Sequence, residues 1–192
     1  MNLPNQLTLS RIVMTFLIMA LLFICGAAAK ALALVLFILA CFTDYLDGRI
    51  ARARGLVSDF GKIMDPLADK ILVLGVFLAF VELQLVAAWM VVLIMGREFL
   101  ITGLRIFAVR RGRVLAAETA GKHKTVSQMV TILLTMIFIL LRDLGRAGET
   151  WGYRREALFR QAITACMAVT VVLTLASGSW YLWKNRRLIR SL

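Results

Sequence analysis

The chain has 192 residues, of which 61% are hydrophobic and 18% charged, and its mean hydropathy is +0.84. A soluble domain of this length buries only about 70% of its surface, so it could not keep this much apolar side chain from water. The same composition excludes a disordered chain. We therefore expect a single membrane-embedded domain that covers residues 1–192.

The net charge is +12, from 23 Lys and Arg against 11 Asp and Glu. The basic residues flank apolar runs, so we expect them to face anionic lipid headgroups rather than nucleic acid. The three cysteines, Cys25, Cys41 and Cys166, stand singly in apolar runs, and the only histidine is His123. A metal site in this chain would therefore need oxygen ligands.

Six apolar runs predict six membrane-spanning helices and hence an all-α fold. About twenty mostly apolar residues are needed to cross a bilayer, and only helices or closed barrels can do so. These runs are too long for barrel strands. In chain order, the predicted helices cover residues 12–29, 31–54, 61–81, 84–108, 124–141 and 158–183.

The segments between these helices carry most of the charge. Lys30 separates the first two predicted helices, and residues 55–61 form a short loop. The arginine-rich segment 142–160 also contains acids, which favours an interfacial helix at the outer surface. An alternative is that the first run is a signal peptide cleaved after residues 27–29, but the run is long for that role and further spans follow.

The distribution of basic residues predicts the orientation. With the N-terminus inside, fifteen of the Lys and Arg residues fall in inner segments and six in outer segments. An excess of Lys and Arg is typical of cytoplasmic segments. We therefore expect both termini in the cytoplasm.

Four aspartates lie within the predicted spans, where ionisable groups are costly and usually functional. Asp44 and Asp47 are three residues apart, and Asp65 and Asp69 are four apart, so each pair shares one helix face. The short connection predicts that the two helices are antiparallel neighbours, with both pairs near the cytoplasmic end. Because four carboxylates would repel strongly at low dielectric, two divalent cations would balance them.

The residues around these acids are suited to phosphate. Gly48 and Ala51 are small and allow close approach, while Arg52 can contact phosphate oxygens. A second basic cluster on later helices, at the same side of the membrane, could hold another anionic group. It comprises Arg97, Arg105, Lys122 and Lys124.

The combined spacing resembles the signature of the CDP-alcohol phosphotransferase family, with all eight fixed positions filled. In this chain it reads Asp44-x2-Asp47-Gly48-x2-Ala51-Arg52-x8-Gly61-x3-Asp65-x3-Asp69. Three further segments are similar to the branch of the family that makes phosphatidylglycerophosphate. They are Pro4–Arg11, Gly96–Glu98, and Gly121–Thr125 with Gln128.

This resemblance implies roles for individual residues. The four aspartates would hold two divalent cations, Mg²⁺ or Mn²⁺, and Asp69 would also act as the general base. The CDP group would be bound by Asn5, Thr8, Gly48, Ala51, Arg52 and Ser58. The acceptor phosphate would be bound by Arg97, Arg105, Lys122 and Lys124.

The reaction implied is transfer of the phosphatidyl group from CDP-diacylglycerol to sn-glycerol 3-phosphate by in-line displacement of CMP. The resemblance also implies a homodimer in a bacterial-type inner membrane, with the site facing the cytoplasm. The same chemistry with inositol phosphate, serine or phosphatidylglycerol as acceptor is an alternative. A cation or proton transporter is a remote one, since the acids gather at one face instead of stepping across the bilayer.

Overall fold

The computed structural model describes residues 3–54, 59–110, 120–148 and 151–186, and the regular structure in this part of the chain is α-helical. It contains six helices, as predicted, although several boundaries differ. They are α1 (Leu3–Phe23), α2 (Ala27–Arg54), α3 (Asp59–Glu82), α4 (Ala88–Arg110), α5 (Ala120–Ala147) and α6 (Tyr153–Lys184).

The turn between α1 and α2 differs from the prediction. The first helix was expected to continue to residue 29, but it ends at Phe23, and Gly26 adopts a left-handed φ of +108°. Lys30 lies in the first turn of α2 and is buried. Its Nζ donates to the carbonyls of Leu22 at 2.5 Å and Ile24 at 2.6 Å. These carbonyls have no partner within α1, so Lys30 caps the helix instead of marking a separator between spans.

The predicted interfacial helix at residues 142–160 is wrong. The arginine-rich segment instead belongs to the end of α5 and the start of α6, with Trp151 between them. The Trp151 ring fills the space above Gly145, where an added Cβ would lie 2.8 Å from the ring. The Trp151 Nε1 donates to Glu156 Oε2 at 2.7 Å. This packing lets both helices extend into the charged segment.

The helices pack in a connected bundle. Among the described residues, α1 packs against both α2 and α3, α5 packs against α6 and α2, and α4 lies against α6 and α3. In this part of the chain, α1 is therefore the main partner of both α2 and α3. The aspartate-bearing ends of α2 and α3, which the short connection predicts to be neighbours, have side chains outside the described set. Gly75 allows α3 to approach α1 closely, because a Cβ at this position would lie only 2.9 Å from Thr15 Cγ2 of α1. The core includes Phe37, Phe77 and Ile132, which are fully or almost fully buried.

The outside of the bundle is apolar. Large hydrophobic side chains such as Phe16, Val92 and Val172 are 63% to 64% exposed. Surfaces of this kind are unusual in soluble monomers and are expected where the surroundings are lipid. Among the described residues, Lys124–Arg146 and Tyr153–Lys184 are long and apolar enough to cross a membrane, with shorter apolar helices at Leu9–Phe23 and Ala27–Thr43. The fold is consistent with a membrane protein.

Candidate functional site

The four aspartates lie on two consecutive helices. Asp44 and Asp47 belong to the C-terminal part of α2, and Asp65 and Asp69 belong to the N-terminal part of α3. Both segments are helical, so the spacing does place each pair on one helix face. Their side chains lie outside the described part of the structure. The donor set fits hard divalent cations, which prefer carboxylate oxygens.

The predicted CDP-binding residues are distributed over α1 and α2. Gly48, Ala51 and Arg52 follow the acids on α2, while Asn5 and Thr8 lie in the first turns of α1. Ser58 lies outside the described residues, and no side-chain contact is described for the other five.

Helix register relates α1 to the acids on α3. The short α1–α2 and α2–α3 connections make α1 and α3 run in the same direction, and Thr15 meets Gly75. Asn5 lies ten residues before Thr15 on α1, and Asp65 lies ten residues before Gly75 on α3. Because both helices rise about 1.5 Å per residue, Asn5 is level with Asp65 along the bundle. The predicted nucleotide residues of α1 are therefore at the depth of the acids.

Two of the four predicted acceptor residues come together through Glu98. The Glu98 carboxylate on α4 accepts from its neighbour Arg97 at 3.2 Å and from the Nζ of Lys124 on α5. These side chains are only 11% to 12% exposed. A second Arg97 nitrogen, Nη2, donates to the Oγ of Ser177 on α6 at 3.2 Å. The cluster therefore joins α4, α5 and α6.

The other two predicted acceptor residues do not join this cluster in the described structure. Arg105 is exposed and lies about two turns further along α4. Lys122 belongs to the first turn of α5, and its side chain is outside the described set.

A small cavity of about 70 Å³ adjoins the cluster, between α3, α4 and α5. Its polar lining consists of Lys70, Glu98, Lys124, Thr125 and Gln128, and its apolar lining of Val73 and Leu74. The Nζ of Lys70 donates to the Oγ1 of Thr102 on α4. The net charge around the cavity is positive. The ammonium groups of Lys70 and Lys124 and the carboxylate of Glu98 line it, and Arg97 pairs with that carboxylate.

Of the five polar residues in this lining, the sequence assigned only Lys124 to a site. Lys70 stood out only as a cation within a span, and Gln128 only as part of a motif. A local signal existed for both, because Gln128 lies four residues after Lys124 on the same face of α5, and Lys70 directly follows Asp69. That they line one cavity with Glu98 required the packing of three helices.

Comparison with known proteins covers most of the chain. Residues 1–176 match the family described as CDP-alcohol phosphatidyltransferase. A curated relative, the CDP-diacylglycerol–glycerol-3-phosphate 3-phosphatidyltransferase of Bacillus subtilis (strain 168), is 36% identical over an alignment 196 positions long. The alignment covers 96% of this chain and 95% of the relative.

Two other relatives match a shorter part of the chain. The protein of the same name from Rickettsia typhi is 39% identical, in an alignment that covers 71% of this chain and 76% of the relative. A probable phosphatidylglycerophosphate synthase of Mycobacterium tuberculosis (strain ATCC 25618 / H37Rv) is 40% identical and covers 71% of this chain and 66% of its own. Because the family match includes both aspartate pairs and the basic cluster, the chain belongs to the CDP-alcohol phosphatidyltransferase family.

Proposed function

We propose that this protein transfers the phosphatidyl group of CDP-diacylglycerol to sn-glycerol 3-phosphate, releasing CMP and leaving phosphatidylglycerophosphate in the bilayer. The observation that carries the proposal is the similarity, over 96% of the chain, to a Bacillus subtilis enzyme named for this reaction. The complete eight-position signature and the positively charged cavity support it independently.

The proposed step is a single in-line displacement. The 1-hydroxyl oxygen of glycerol 3-phosphate forms a bond to the phosphorus on the lipid side of CDP-diacylglycerol. The bond from that phosphorus to the CMP oxygen breaks, and CMP leaves with the electron pair. Asp69 accepts the proton of the attacking hydroxyl. Catalysis at phosphorus depends mainly on positioning and electrostatic stabilisation, which this arrangement of charged residues would supply.

The proposed metal ligands are Asp44, Asp47, Asp65 and Asp69, which would hold two divalent cations, Mg²⁺ or Mn²⁺. When bound, these ions would neutralise charge on the leaving CMP. The proposed CDP-binding residues are Asn5, Thr8, Gly48, Ala51, Arg52 and Ser58. The level of Asn5 relative to Asp65 supports the participation of α1 in that site.

The acceptor phosphate is assigned to the basic cluster, with Arg97 and Lys124 at its centre and Arg105 and Lys122 on the same helices. The mutual contact of Arg97, Glu98 and Lys124 supports this assignment for two of the four residues. A positive cavity favours a phosphorylated acceptor over serine, which is zwitterionic and carries no phosphate.

The proposed membrane arrangement has six spans, both termini in the cytoplasm, and the site at the cytoplasmic ends of the helices in a bacterial-type inner membrane. The excess of basic residues in the inner segments supports this orientation. The exposed apolar surface supports residence in lipid. The proposed assembly is a homodimer, as the family resemblance implies.

The reaction can be tested by CMP release from the purified protein in detergent. CDP-diacylglycerol and Mg²⁺ or Mn²⁺ are supplied, with glycerol 3-phosphate, inositol phosphate, serine or phosphatidylglycerol in separate reactions. We expect release with glycerol 3-phosphate, and loss of that release by at least about 100-fold in Asp69→Asn, since general acid–base groups contribute about that much or more.

The matched control is Asp143→Asn, the same substitution in α5 at a loose 3.8 Å ion pair with Arg142. It should keep full activity. Release with a different acceptor would overturn the assignment of glycerol 3-phosphate, and no metal-dependent release with any acceptor would overturn the reaction.

A further inference from the structure

The end of the bundle opposite the aspartates carries an excess of positive charge that the proposed reaction does not use. In the part of the chain that the structure describes, this end has more basic than acidic side chains. The basic ones are Lys30, Arg142, Arg146, Arg154, Arg155 and Arg160, and the acidic ones are Glu82, Asp143 and Glu156. The proposed orientation places them outside the cytoplasm, where Lys and Arg are normally scarce. The excess therefore calls for a negatively charged partner at this end.

Most of these charges lie together where three helices end. Charge–charge interactions connect them into one group, which we call the distal cluster. It comprises Lys30 of α2, Arg142, Asp143 and Arg146 of α5, and Glu156 and Arg160 of α6. Arg160 also donates from Nη1 to the carbonyl oxygen of Gln84, in the turn between α3 and α4, at 3.0 Å. The distal cluster is therefore anchored to several separate parts of the bundle.

The two carboxylates of the distal cluster do not neutralise its cations. Each Glu156 oxygen already accepts a hydrogen bond, Oε2 from Trp151 Nε1 at 2.7 Å and Oε1 from Arg160 Nε at 2.9 Å. Asp143 Oδ1 lies 3.8 Å from Arg142 Nε, which is beyond hydrogen-bond distance. The same carboxylate also faces the charge of Lys30. Four cations thus share two carboxylates, and the group keeps a net positive charge.

Arg142 is the member whose donors are least satisfied. Its side chain is only 13% exposed, and its buried Nε has no hydrogen-bond partner among the described residues. The guanidinium carbon lies 5.5 Å from the centre of the Phe138 ring, a cation–π contact that leaves the N–H groups in the guanidinium plane without an acceptor. Buried donors are almost always paired, and a charged one is the most costly to leave unpaired. An acceptor from outside the chain would remove this cost.

The chemistry of the distal cluster selects a phosphate group. The planar guanidinium presents its N–H donors in a fork that matches two phosphate oxygens, and the neighbouring cations add positive charge. Aromatic side chains at the same end, Trp151 and the 90% exposed Tyr153, are of the kind that lies at headgroup level in a bilayer. Phosphate groups are therefore present where Arg142 needs an acceptor.

We propose that the distal cluster is a binding site for a phosphate-bearing anion, in which Arg142 is the central ligand and Arg146 and Arg160 supply further positive charge. An anionic phospholipid headgroup and free phosphate offer the same oxygens, so the experiment uses both. The site lies at the end of the bundle away from the aspartates and takes no part in the proposed reaction.

The test measures the unfolding midpoint of the purified full-length protein in uncharged detergent. One titration adds inorganic phosphate at constant ionic strength, and another adds phosphatidylglycerol to the micelles, with phosphatidylcholine as the lipid without net charge. A ligand of the folded state raises the midpoint as its concentration rises, which gives an apparent Kd. A rise with phosphatidylglycerol alone identifies a lipid headgroup as the ligand, and a rise with both identifies a site that is also open to water. No rise with either anion overturns the proposal.

The variant Arg142→Gln locates the site. We expect its apparent Kd for the stabilising anion to be about tenfold weaker or more, as for loss of a hydrogen bond to a charged group. The matched control is Arg154→Gln, which removes the same charge from an exposed position at the same end, outside the distal cluster. Its apparent Kd should stay within about twofold of the unaltered protein. Equal effects of the two substitutions would show attraction by diffuse charge and refute the site.

Asp143→Asn provides a second variant that does not depend on the folding of Arg142→Gln. It removes the carboxylate that competes with the anion for Arg142, so we expect the anion to bind about twofold more tightly or better. A merely structural role for Arg142 predicts no such gain, and an unchanged or weaker apparent Kd would contradict the proposal. Since none of these measurements uses CMP release, they stand or fall separately from the proposed function.

Discussion

At the residue scale, one carboxylate organises the basic cluster. Glu98 accepts from Arg97 on its own helix and from Lys124 on α5, and all three side chains are mostly buried. Two cations that lost this carboxylate would remain in a poorly hydrated environment. Removing one member of a buried ion pair is costly for that reason, whereas exposed pairs contribute little.

We therefore expect Glu98→Gln to destabilise the protein by about 3 kcal/mol and to lower its unfolding midpoint by roughly 5–10 °C. The measurement is thermal unfolding of the purified protein in detergent. Asp143→Asn is the comparison, because its 3.8 Å pair with Arg142 is longer and should matter less. Equal midpoints for Glu98→Gln and the unaltered protein would show that the carboxylate does not hold the cluster.

At the element scale, glycine determines how closely α6 approaches the cluster. A Cβ on Gly178 would lie 2.8 Å from Arg97 Cγ and 3.1 Å from Arg97 Nε. These atoms belong to the stem of the arginine, which is held at its far end by Ser177 and Glu98. The side chain therefore has little freedom to move aside, and only a residue without a Cβ fits.

Gly178→Ala should therefore destabilise the protein by about 1–3 kcal/mol, because it overpacks the contact between α4 and α6. It should also raise the acceptor KM by displacing Arg97. The matched control is Gly103→Ala on α4, where a Cβ would meet nothing within 4 Å. That variant should be neutral or more stable by up to about 1 kcal/mol, since alanine favours helix. The same thermal unfolding and CMP release assays check both variants, and equal behaviour of the two would contradict the packing argument.

Element boundaries also depend on contacts that are distant in sequence. Lys30 satisfies carbonyls at the end of α1, and Trp151 fills the space above Gly145 where α5 ends. Neither contact produces a periodic pattern in the amino-acid sequence. The predicted first helix was therefore too long at its C-terminal end, and the predicted interfacial helix was wrong.

At the scale of the whole molecule, the proposed orientation in the membrane can be tested by chemical labelling of a single thiol. Cys25 is exposed in the turn between α1 and α2, at the end of α2 opposite the aspartates. The proposed orientation places this turn outside the cytoplasm. With Cys41 and Cys166 replaced by alanine, a membrane-impermeant thiol reagent should label Cys25 in intact cells.

The control for that experiment adds His123→Cys to a background in which Cys25 is also alanine. Residue 123 lies in the first turn of α5, at the proposed cytoplasmic side. It should be labelled only after the membrane is opened. The reverse pattern would invert the orientation, because labelling requires access from the aqueous side where the reagent is present.

The separation of the apolar core from the aspartates implies that activity and stability should respond to different substitutions. The buried core is apolar and runs along the bundle, with Phe37, Phe77 and Ile132 among its members, whereas the aspartates cluster where α2 ends and α3 begins. Loss of a proposed metal ligand should therefore abolish CMP release with little effect on unfolding, which is the opposite of the expectation for Gly178→Ala.

The helix count, the all-α class, the family and the positions of the two aspartate pairs could all be predicted from the amino-acid sequence. These properties follow from local quantities. The length of an apolar run predicts a span, and the 3.6-residue helical repeat places the two aspartates of each pair on one face of their helix. Three features could not be predicted in this way. Among the described residues, α1 is the main partner of both α2 and α3, Lys30 caps α1, and Lys70 and Gln128 share a cavity with Glu98. Each of these results depends on which helices pack together. Spacing along the chain cannot specify that, because the packing energy comes from side chains that are far apart in sequence.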